Sequence, residues 1–488
     1  MSERANVIRT AQALVDSGRF SVELAELVSR PTESQNPQRV AEMQTYLEEL
    51  LVPRLSAAGF TCTLHPNPHG HPFLVARRIE DPDLPTILGY GHGDVTRGQE
   101  NDWSGNRKPF ELRQENDRLY GRGTADNKGQ HLINLQAMEC VLAARGRLGF
   151  NATWLIEMGE ETGSPGLIEF CQQNKTLLAA DVLIASDGPR MSPDVPLVFL
   201  GARGAINFDL TVELRDGAHH SGNWGGLLAD PAVILAHALA TITDRHGKIR
   251  IPEWAPTSLT PDIRALLAKL PLPVGPQVDT DWGDETLTPQ ERVYGWNSFA
   301  VLAMESGIPA APVNAISGMA RATCQLRFVT GTDTDDILPA LRRHLAAEGF
   351  DQLRVDPQDS GFFPATRSAP DDPWVARVTA SLRQTLGTAP HLAPNLGGSL
   401  PNHVFMETLG LPTVWIPHSY GGCNQHAPDE HMLIPIVRQA LGVMAGLYWD
   451  LGEPLGTKDE DPDPRLRPIG PYVASDPAGA GNTRARAR

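Results

Sequence analysis

Histidine and acidic residues follow three apolar segments of the sequence, each at the point where the segment ends. They are His92 and Asp94 after TILGYG, Glu160 and Glu161 after NATWLIE, and Asp187 after DVLIAS. Convergent carboxylates repel one another unless positive charge lies between them, and a pair of metal ions is the usual solution. Histidine and carboxylate ligands without cysteine suit zinc and tolerate manganese or cobalt. The pattern therefore indicates metal-assisted chemistry.

Two further residues point to the same place. Asp126, in GRGTADNKG, stands at the predicted start of a helix, and His426, in CNQHAPDEH, precedes the last predicted helix. Each feature has a plain structural reading on its own, because Asp126 could cap its helix and an acidic doublet is usually a solvated surface. Their joint position at strand and helix ends of one domain favours the functional reading.

The elements that must position these residues form an α/β pattern over residues 1–202. Helices are predicted near 5–29, 38–58 and 127–145, and apolar strands at 72–77, 86–91, 151–157 and 181–186. We expect a mixed, mostly parallel sheet flanked by helices, with ligands at the carboxyl ends of its strands.

The pattern changes at residue 203. An alternating strand INFDLTVEL, a helix DPAVILAHALATI and a second strand MARATCQLRFV predict a smaller α+β domain over 203–360, with an irregular insertion at about 247–296. Residues 361–453 return to the catalytic domain and end in a helix at 433–450. The tail, 454–488, has too few apolar residues to pack and is predicted to be disordered.

The composition of the chain limits the classes of molecule that it can bind. The formal net charge of -16 argues against nucleic acid or an anionic membrane as the main partner. The start of the chain lacks a signal-peptide core, and five scattered cysteines fit reduced thiols, so we expect a cytoplasmic protein.

Five motifs, GHGDV, GRGTADNKG, EMGEETGS, ASDGPR and QHAPDE, together resemble the co-catalytic zinc hydrolases, which include carboxypeptidase G, aminoacylase, the desuccinylases and carnosinase. The resemblance covers roughly residues 20–450. HHSGNWGG and NLGGSLP are similar to the signatures of the carnosinase and cysteinylglycine dipeptidase branch. The resemblance implies a catalytic α/β domain interrupted by a lid that often mediates dimerisation, and hence a homodimer.

The resemblance also implies roles for individual residues. Asp126 would bridge two divalent ions, most simply Zn²⁺, with the remaining ligands His92 and Asp187 on one ion and Glu161 and His426 on the other. Asp94 would hydrogen-bond the far nitrogen of His92, and Glu160 would be the general base. A cis peptide bond is implied between Asp126 and Asn127.

Further roles fall on the predicted lid and on a late loop. His220 matches a histidine that reaches the partner subunit's active site and steadies the oxyanion. Asn314 falls where the family places a polar hydrogen-bonding residue. Arg327 matches the arginine that takes the substrate's carboxylate, and Ser399 matches the loop that contacts the same group.

The predicted function is metal-dependent hydrolysis of a small amide or peptide bond next to a carboxylate-bearing residue. The chain reads SYGGCNQHAPDE where the carnosinase branch carries an acidic pair before the last metal histidine, so an N-acyl amino acid stands beside a dipeptide as candidate substrate. A catalytically silent, metal-binding member of the same fold is the main alternative. A thiol hydrolase built on Cys423 and His426 has little support, because no residue is placed to orient the histidine.

Overall fold

The computed structural model describes residues 2–272, 278–358 and 362–454, so the predicted tail lies outside the described residues from 455 onward. No helix in these ranges is long and apolar enough to cross a membrane. The strands, in chain order, are β1 Thr61–His65, β2 Phe73–Arg78, β3 Thr86–His92, β4 Arg113–Glu115, β5 Arg118–Tyr120, β6 Asn151–Glu157, β7 Val182–Ala185, β8 Pro189–Arg190, β9 Leu197–Phe199, β10 Gly204–His220, β11 Ser298–Ser306, β12 Ala315–Phe328, β13 Arg354–Pro357, β14 His391–Ala393, β15 Thr413–Trp415, β16 Ser419–Tyr420 and β17 His431–Leu433.

The α-helices connect and cover these strands. In chain order they are α1 Glu3–Asp16, α2 Arg19–Val28, α3 Val40–Thr45, α4 Val52–Ala57, α5 Lys128–Arg145, α6 Leu167–Gln173, α7 Ser221–Trp224, α8 Pro231–Ile242, α9 Pro261–Leu267, α10 Pro289–Tyr294, α11 Ile337–Ala347, α12 Pro373–Leu386 and α13 Ile434–Leu451.

The large sheet has the strand order β1-β2-β6-β3-β7-β15-β9-β14. Within it β6-β3, β3-β7, β7-β15 and β9-β14 are parallel pairs. The pairs β1-β2, β2-β6 and β15-β9 are antiparallel. The predicted mixed, mostly parallel sheet is therefore confirmed.

Both faces of the large sheet are covered, which explains why its central strands read as continuous apolar runs. In β6, Trp154 and Ile156 lie in a core cluster with α1, α5 and α13, whereas Leu155 lies in a second core cluster on the opposite face. This burial leaves the strand ends as the places where polar side chains gather.

The small sheet is antiparallel, with the order β11-β12-β10-β13. Buried and partly exposed residues alternate along most of β12, as expected for a sheet with one covered face. That face packs against α8 and α11 around Phe208, Leu235 and Leu341. We call the residues from Gly204 to Pro357, without the insertion, the small-sheet unit.

The segment predicted to be an irregular insertion contains two short helices, α9 and α10. Apolar residues of these helices, Ile263, Leu267 and Tyr294, belong to the same buried cluster as Phe199 and Trp415 of the large sheet. The insertion therefore packs on the core of the large sheet through α9 and α10, although the chain enters and leaves it from the small-sheet unit.

Two predicted helices are less regular than expected. The helix at 5–29 breaks at Gly18, which adopts φ 77°, a left-handed conformation that glycine enters without steric cost. The helix at 38–58 is interrupted by a π-helical stretch, Tyr46–Leu51, immediately before α4. Pro53 explains this interruption, because proline cannot donate a backbone hydrogen bond within a helix.

Candidate metal centre

His92, the last residue of β3, faces two carboxylates. Its Nε2 atom lies 3.2 Å from Oδ1 of Asp126 and 3.5 Å from Oδ2 of Asp187, and its side chain is fully buried. Gly91 permits this approach, because a Cβ atom there would lie only 2.8 Å from Cβ of His131 in α5. The missing side chain lets the start of α5, and with it Asp126, come close to the end of β3.

Asp126 also faces a second histidine with its other oxygen. His426 Nε2 lies 3.0 Å from Asp126 Oδ2 and 3.1 Å from Glu161 Oε2. The potential ligand atoms of the set Asp126, Glu161 and His426 lie within 4.8 Å of one another, as do those of His92, Asp126 and Asp187. One carboxylate thus joins two ligand sets, and the peptide bond that follows it, Asp126–Asn127, is cis as the resemblance implied.

The charges in this cluster are unbalanced. Burial, with the charge of Asp126, raises the pKa of Glu161 to about 7. Burial likewise raises the pKa of Glu160 well above its usual range, and the neighbouring carboxylates add to the shift although His92 opposes it. Hydrogen bonds with Asp126 and Glu161 raise the pKa of His426 to about 11. The two imidazoles therefore do not supply enough positive charge to keep all the carboxylates of the cluster ionised.

A second observation shows that these residues fit metal ions. Oδ2 of Asp187 is buried and has no hydrogen-bond partner among the described residues, whereas its Oδ1 accepts a hydrogen bond from the Gly188 N–H. His92 Nε2 lies 3.5 Å from this oxygen without forming a hydrogen bond, and a buried carboxylate oxygen that lacks one is costly unless a cation satisfies it. The donor set of two histidines and three carboxylates meets the requirement for two divalent ions.

Asp94 links the histidine to the acidic doublet. Its Oδ1 atom lies 3.4 Å from His92 Nδ1, but the hydrogen bond of that nitrogen goes to the Asp94 backbone carbonyl at 3.1 Å. The two carboxylate oxygens accept hydrogen bonds from the backbone N–H groups of Glu160 and Glu161, at 3.2 and 3.1 Å. Asp94 thus fixes the turn that presents both glutamates.

Glu430 has a positioning role that the sequence did not reveal. It is fully buried, and it accepts hydrogen bonds from the backbone N–H groups of Gly123, Ala125 and Asp126 at 2.9–3.1 Å. Arg122 donates a further bond of 2.9 Å. Glu430 therefore anchors the loop that carries Asp126 to the segment that carries His426. Its only sequence signal was its position four residues after that histidine.

The predicted lid residues lie apart from the cluster. His220 and Asn314 are exposed and adjacent, since His220 pairs with Ala315 and the Ser221 N–H donates to the Asn314 carbonyl at 2.9 Å. No hydrogen bond or ion pair within the described ranges joins either to the metal ligands. Nδ1 of His220 accepts from the Gly222 N–H at 3.0 Å, so the neutral ring carries its proton on Nε2.

Arg327 and Ser399 are brought together. Nη1 of Arg327 donates to Ser399 Oγ at 3.1 Å, and that hydroxyl donates to the carbonyl of Arg203 at 2.8 Å. Arg203, which the sequence did not single out, is buried and donates to the Arg327 carbonyl at 3.2 Å. Burial, with repulsion from Arg327, lowers the pKa of Arg203 to about 10. Neither arginine forms an ion pair within the described ranges, so no carboxylate of these ranges neutralises either charge.

Comparison with known proteins connects this geometry with a family. The model of peptidase family M20/M25/M40 matches residues 88–450. The chain is 26% identical to cysteinylglycine-S-conjugate dipeptidase of Corynebacterium striatum over 395 residues, which cover 80% of this chain and 85% of that protein. It is 35% identical to mouse Beta-Ala-His dipeptidase over 184 residues, and this match spans little more than a third of either chain, 37% of each.

The fold agrees with the same assignment. The structure superposes on human carnosine dipeptidase 1 with a TM-score of 0.75 and 22% sequence identity, covering 93% of this chain and 99% of the other. The match to the family model includes the strand ends and loops that carry His92, Asp126, Glu161, Asp187 and His426. The chain therefore belongs to peptidase family M20/M25/M40.

Proposed function

We propose that the protein is a metal-dependent hydrolase that cleaves a small amide or peptide bond next to a carboxylate-bearing residue. The observation that carries the proposal is the placement of the two Asp126 oxygens against His92 and His426, with Glu160 beside the cluster. Family membership and the dipeptidase names of the relatives support it.

The metal sites are assigned from the two ligand sets. His92 and Asp187 would hold one ion, Glu161 and His426 the other, and Asp126 would bridge them. Zn²⁺ suits these donors best, with Mn²⁺ or Co²⁺ as alternatives. When bound, such ions polarise a carbonyl group and acidify a water molecule.

Glu160 is the proposed general base. Burial, with repulsion from the neighbouring carboxylates, raises the pKa of Glu160 and so makes it a stronger base than an exposed glutamate. Glu160 takes a proton from the attacking water and then delivers it to the leaving nitrogen. Asp94 holds the Glu160 backbone by its N–H and so keeps this carboxyl group in place.

The substrate's carboxylate would bind at Arg327 and Ser399, with Arg203 adding positive charge behind them. A planar guanidinium next to a hydroxyl donor suits a carboxylate. The relatives' names favour a dipeptide. An N-acyl amino acid offers the same carboxylate next to the same kind of bond and remains the second candidate, because SYGGCNQHAPDE lacks the acidic pair.

A homodimer would complete the site. β11 is an edge strand of the small sheet and exposes Val301, Leu302 and Met304, so it offers an apolar edge to a second copy. The exposed Nε2–H of His220 would then donate to the oxyanion in the partner subunit, with Asn314 beside it. The small-sheet unit, within the predicted domain 203–360, would act as lid and dimerisation domain.

The cytoplasmic address is also a proposal. All five cysteines are free thiols in the structure, and four of them are buried. Unpaired thiols are typical of proteins in reducing compartments.

The first experiment is the metal content of the purified protein, followed by hydrolysis of dipeptides and N-acyl amino acids before and after chelation. We expect two metal ions per chain and chelator-sensitive release of an amino acid. Two bound ions without turnover on either series would favour the catalytically silent alternative. Absence of both metal and chelator effect would refute the proposed ligand set.

A further inference from the structure

A cavity of about 260 Å³ lies between residues 189–191, which follow Asp187, and residues 395–398, which precede Ser399. Its walls are mostly apolar. They include Met191, Leu197, Phe199, Leu396 and Tyr294, all buried except the partly buried Leu396. Pockets for whole drug-sized ligands measure about 300–1,000 Å³, so this cavity suits one side chain of a small substrate.

The position of the cavity relates it to the substrate. Pro189, two residues after the proposed metal ligand Asp187, lines the cavity, and so do Gly397 and Gly398, just before Ser399. A substrate with its scissile amide at the proposed metal centre and its carboxylate at Ser399 would extend between these two chain segments. The substrate residue that carries the carboxylate would therefore lie next to the cavity.

The insertion supplies one wall. A Cβ atom added to Gly397 would lie 3.6 Å from Cε1 of Tyr294, which is ordinary contact distance, so the Tyr294 ring packs directly on the loop. Tyr294 is 6% exposed and belongs to the same core cluster as Phe199. The wall is therefore part of the rigid core.

One charged residue, Arg190, also lines the cavity. Its guanidinium donates to the Pro417 carbonyl at 3.1 Å and to Gln439 Oε1 in α13 at 2.6 Å. These bonds direct the guanidinium toward α13 and leave the apolar walls to decide which side chain fits.

We propose that this cavity receives the side chain of the carboxylate-bearing residue and selects an apolar one, with Tyr294 of the insertion as a specificity-determining residue. The inference rests on the proposed function. It specifies the substrate class as dipeptides, or N-acyl amino acids, whose carboxylate-bearing residue has a medium-sized apolar side chain.

The test compares kcat/KM of the metal-loaded protein for Gly-Leu, Gly-Gly, Gly-Asp and Leu-Gly, and for the corresponding N-acetyl amino acids. We expect Gly-Leu to exceed Gly-Gly by about tenfold or more, since apolar pockets discriminate by such factors. Leu-Gly carries its side chain on the other residue and should not share the advantage. A preference for Gly-Asp would overturn the apolar assignment in favour of Arg190.

Two variants change the cavity in opposite directions. In Gly398→Val, the nearest atom to the new Cβ is Leu396 Cδ2 at 3.7 Å, so the side chain has room to occupy the cavity and should reduce the Gly-Leu to Gly-Gly ratio about tenfold. Tyr294→Ala should shift the preference toward Gly-Phe, whereas Tyr294→Phe, the matched control, keeps the ring and the wild-type ratio. General damage to the protein would lower kcat/KM for all substrates by the same factor. An unchanged Gly-Leu to Gly-Gly ratio in both cavity variants would overturn the proposal.

A binding measurement separates this inference from the proposed function. Calorimetry with free leucine and free glycine, the expected products, needs no turnover. Tighter binding of leucine to the wild type, lost in Gly398→Val, supports the cavity assignment even if hydrolysis is absent. Equal binding of the two amino acids contradicts the assignment even if hydrolysis is fast.

Discussion

The proposed metal centre and the exposed pair His220 and Asn314 differ in how completely a single chain forms each site. At the metal centre, strand ends from one sheet bring buried carboxylates together, and backbone hydrogen bonds hold them. At the exposed pair, backbone bonds place the two residues side by side and the Gly222 N–H fixes the tautomer of His220, but no described hydrogen bond or ion pair links them to the metal centre. The first region needs cations to balance it, and we propose that the second needs another copy of the chain. The buried carboxylates thus indicate a need for metal ions, whereas the exposed pair indicates a need for a protein partner.

The largest expected effect concerns Glu160. Glu160→Gln should keep its metal content and lose turnover about 10²- to 10⁴-fold, because glutamine cannot take a proton from water. Metal analysis and kcat on the best substrate measure this. Glu161→Gln is the matched control and should lose metal as well. Retention of most activity by Glu160→Gln would remove the general-base assignment.

The second effect tests whether the exposed region acts across subunits. His220→Ala should lower kcat about 10²- to 10³-fold, as loss of an oxyanion donor does, whereas the neighbouring His219→Ala should have little effect. Mixing His220→Ala with Glu160→Gln should restore one working site per mixed dimer. A monomer in sedimentation, at concentrations where the enzyme is active, would contradict action in trans.

The third effect concerns the support beneath the metal ligands. Glu430→Gln loses one acceptor oxygen for the backbone of the loop 123–126, so metal affinity should fall about 10- to 100-fold. Titration against a competing chelator measures the affinity. Glu407→Gln, an exposed change, is the control. Unchanged affinity would mean that Arg122 and the surrounding packing hold the loop without Glu430.

The smallest effect is expected at Asn314. Asn314→Ala should lower kcat/KM about three- to tenfold, the range of one neutral hydrogen bond, with no change in metal content. A loss as large as that of His220→Ala would give both exposed residues equal weight at the oxyanion. No loss would leave His220 as the sole contribution of this region.

The sequence predicted which histidine and acidic residues come together better than it predicted the residues that support them. Parallel strands end at one sheet edge, so the positions of His92, Glu161 and Asp187 after apolar runs were enough to bring them together. The sequence did not indicate the role of Glu430, because its partners are mainly backbone N–H groups, which sequence patterns do not display. The sequence did not indicate Arg203, because the residues that its guanidinium contacts, such as Trp296 and Arg327, lie far from it in the chain.

The fold, too, was predicted where local sequence patterns are clear and missed where they are not. Apolar runs such as NATWLIE gave the central strands, whereas the exposed β1, TCTLH, was missed because it has no clear apolar pattern. The break at Gly18 was not predicted, because a single glycine within a helical pattern can either end a helix or be tolerated inside it. The packing of α9 and α10 on the large sheet was also beyond local patterns, because it joins residues far apart in the chain.

That packing has a consequence for how the protein is made. The cluster that receives Ile263 and Tyr294 also contains Phe405 and Trp415, which are synthesised more than a hundred residues later. The apolar side of the insertion therefore has no complete docking surface until most of the chain has left the ribosome. Such long-range pairing is slow and leaves apolar surface exposed in the meantime. We expect α9 and α10 to dock only after the strand that carries Trp415 has formed.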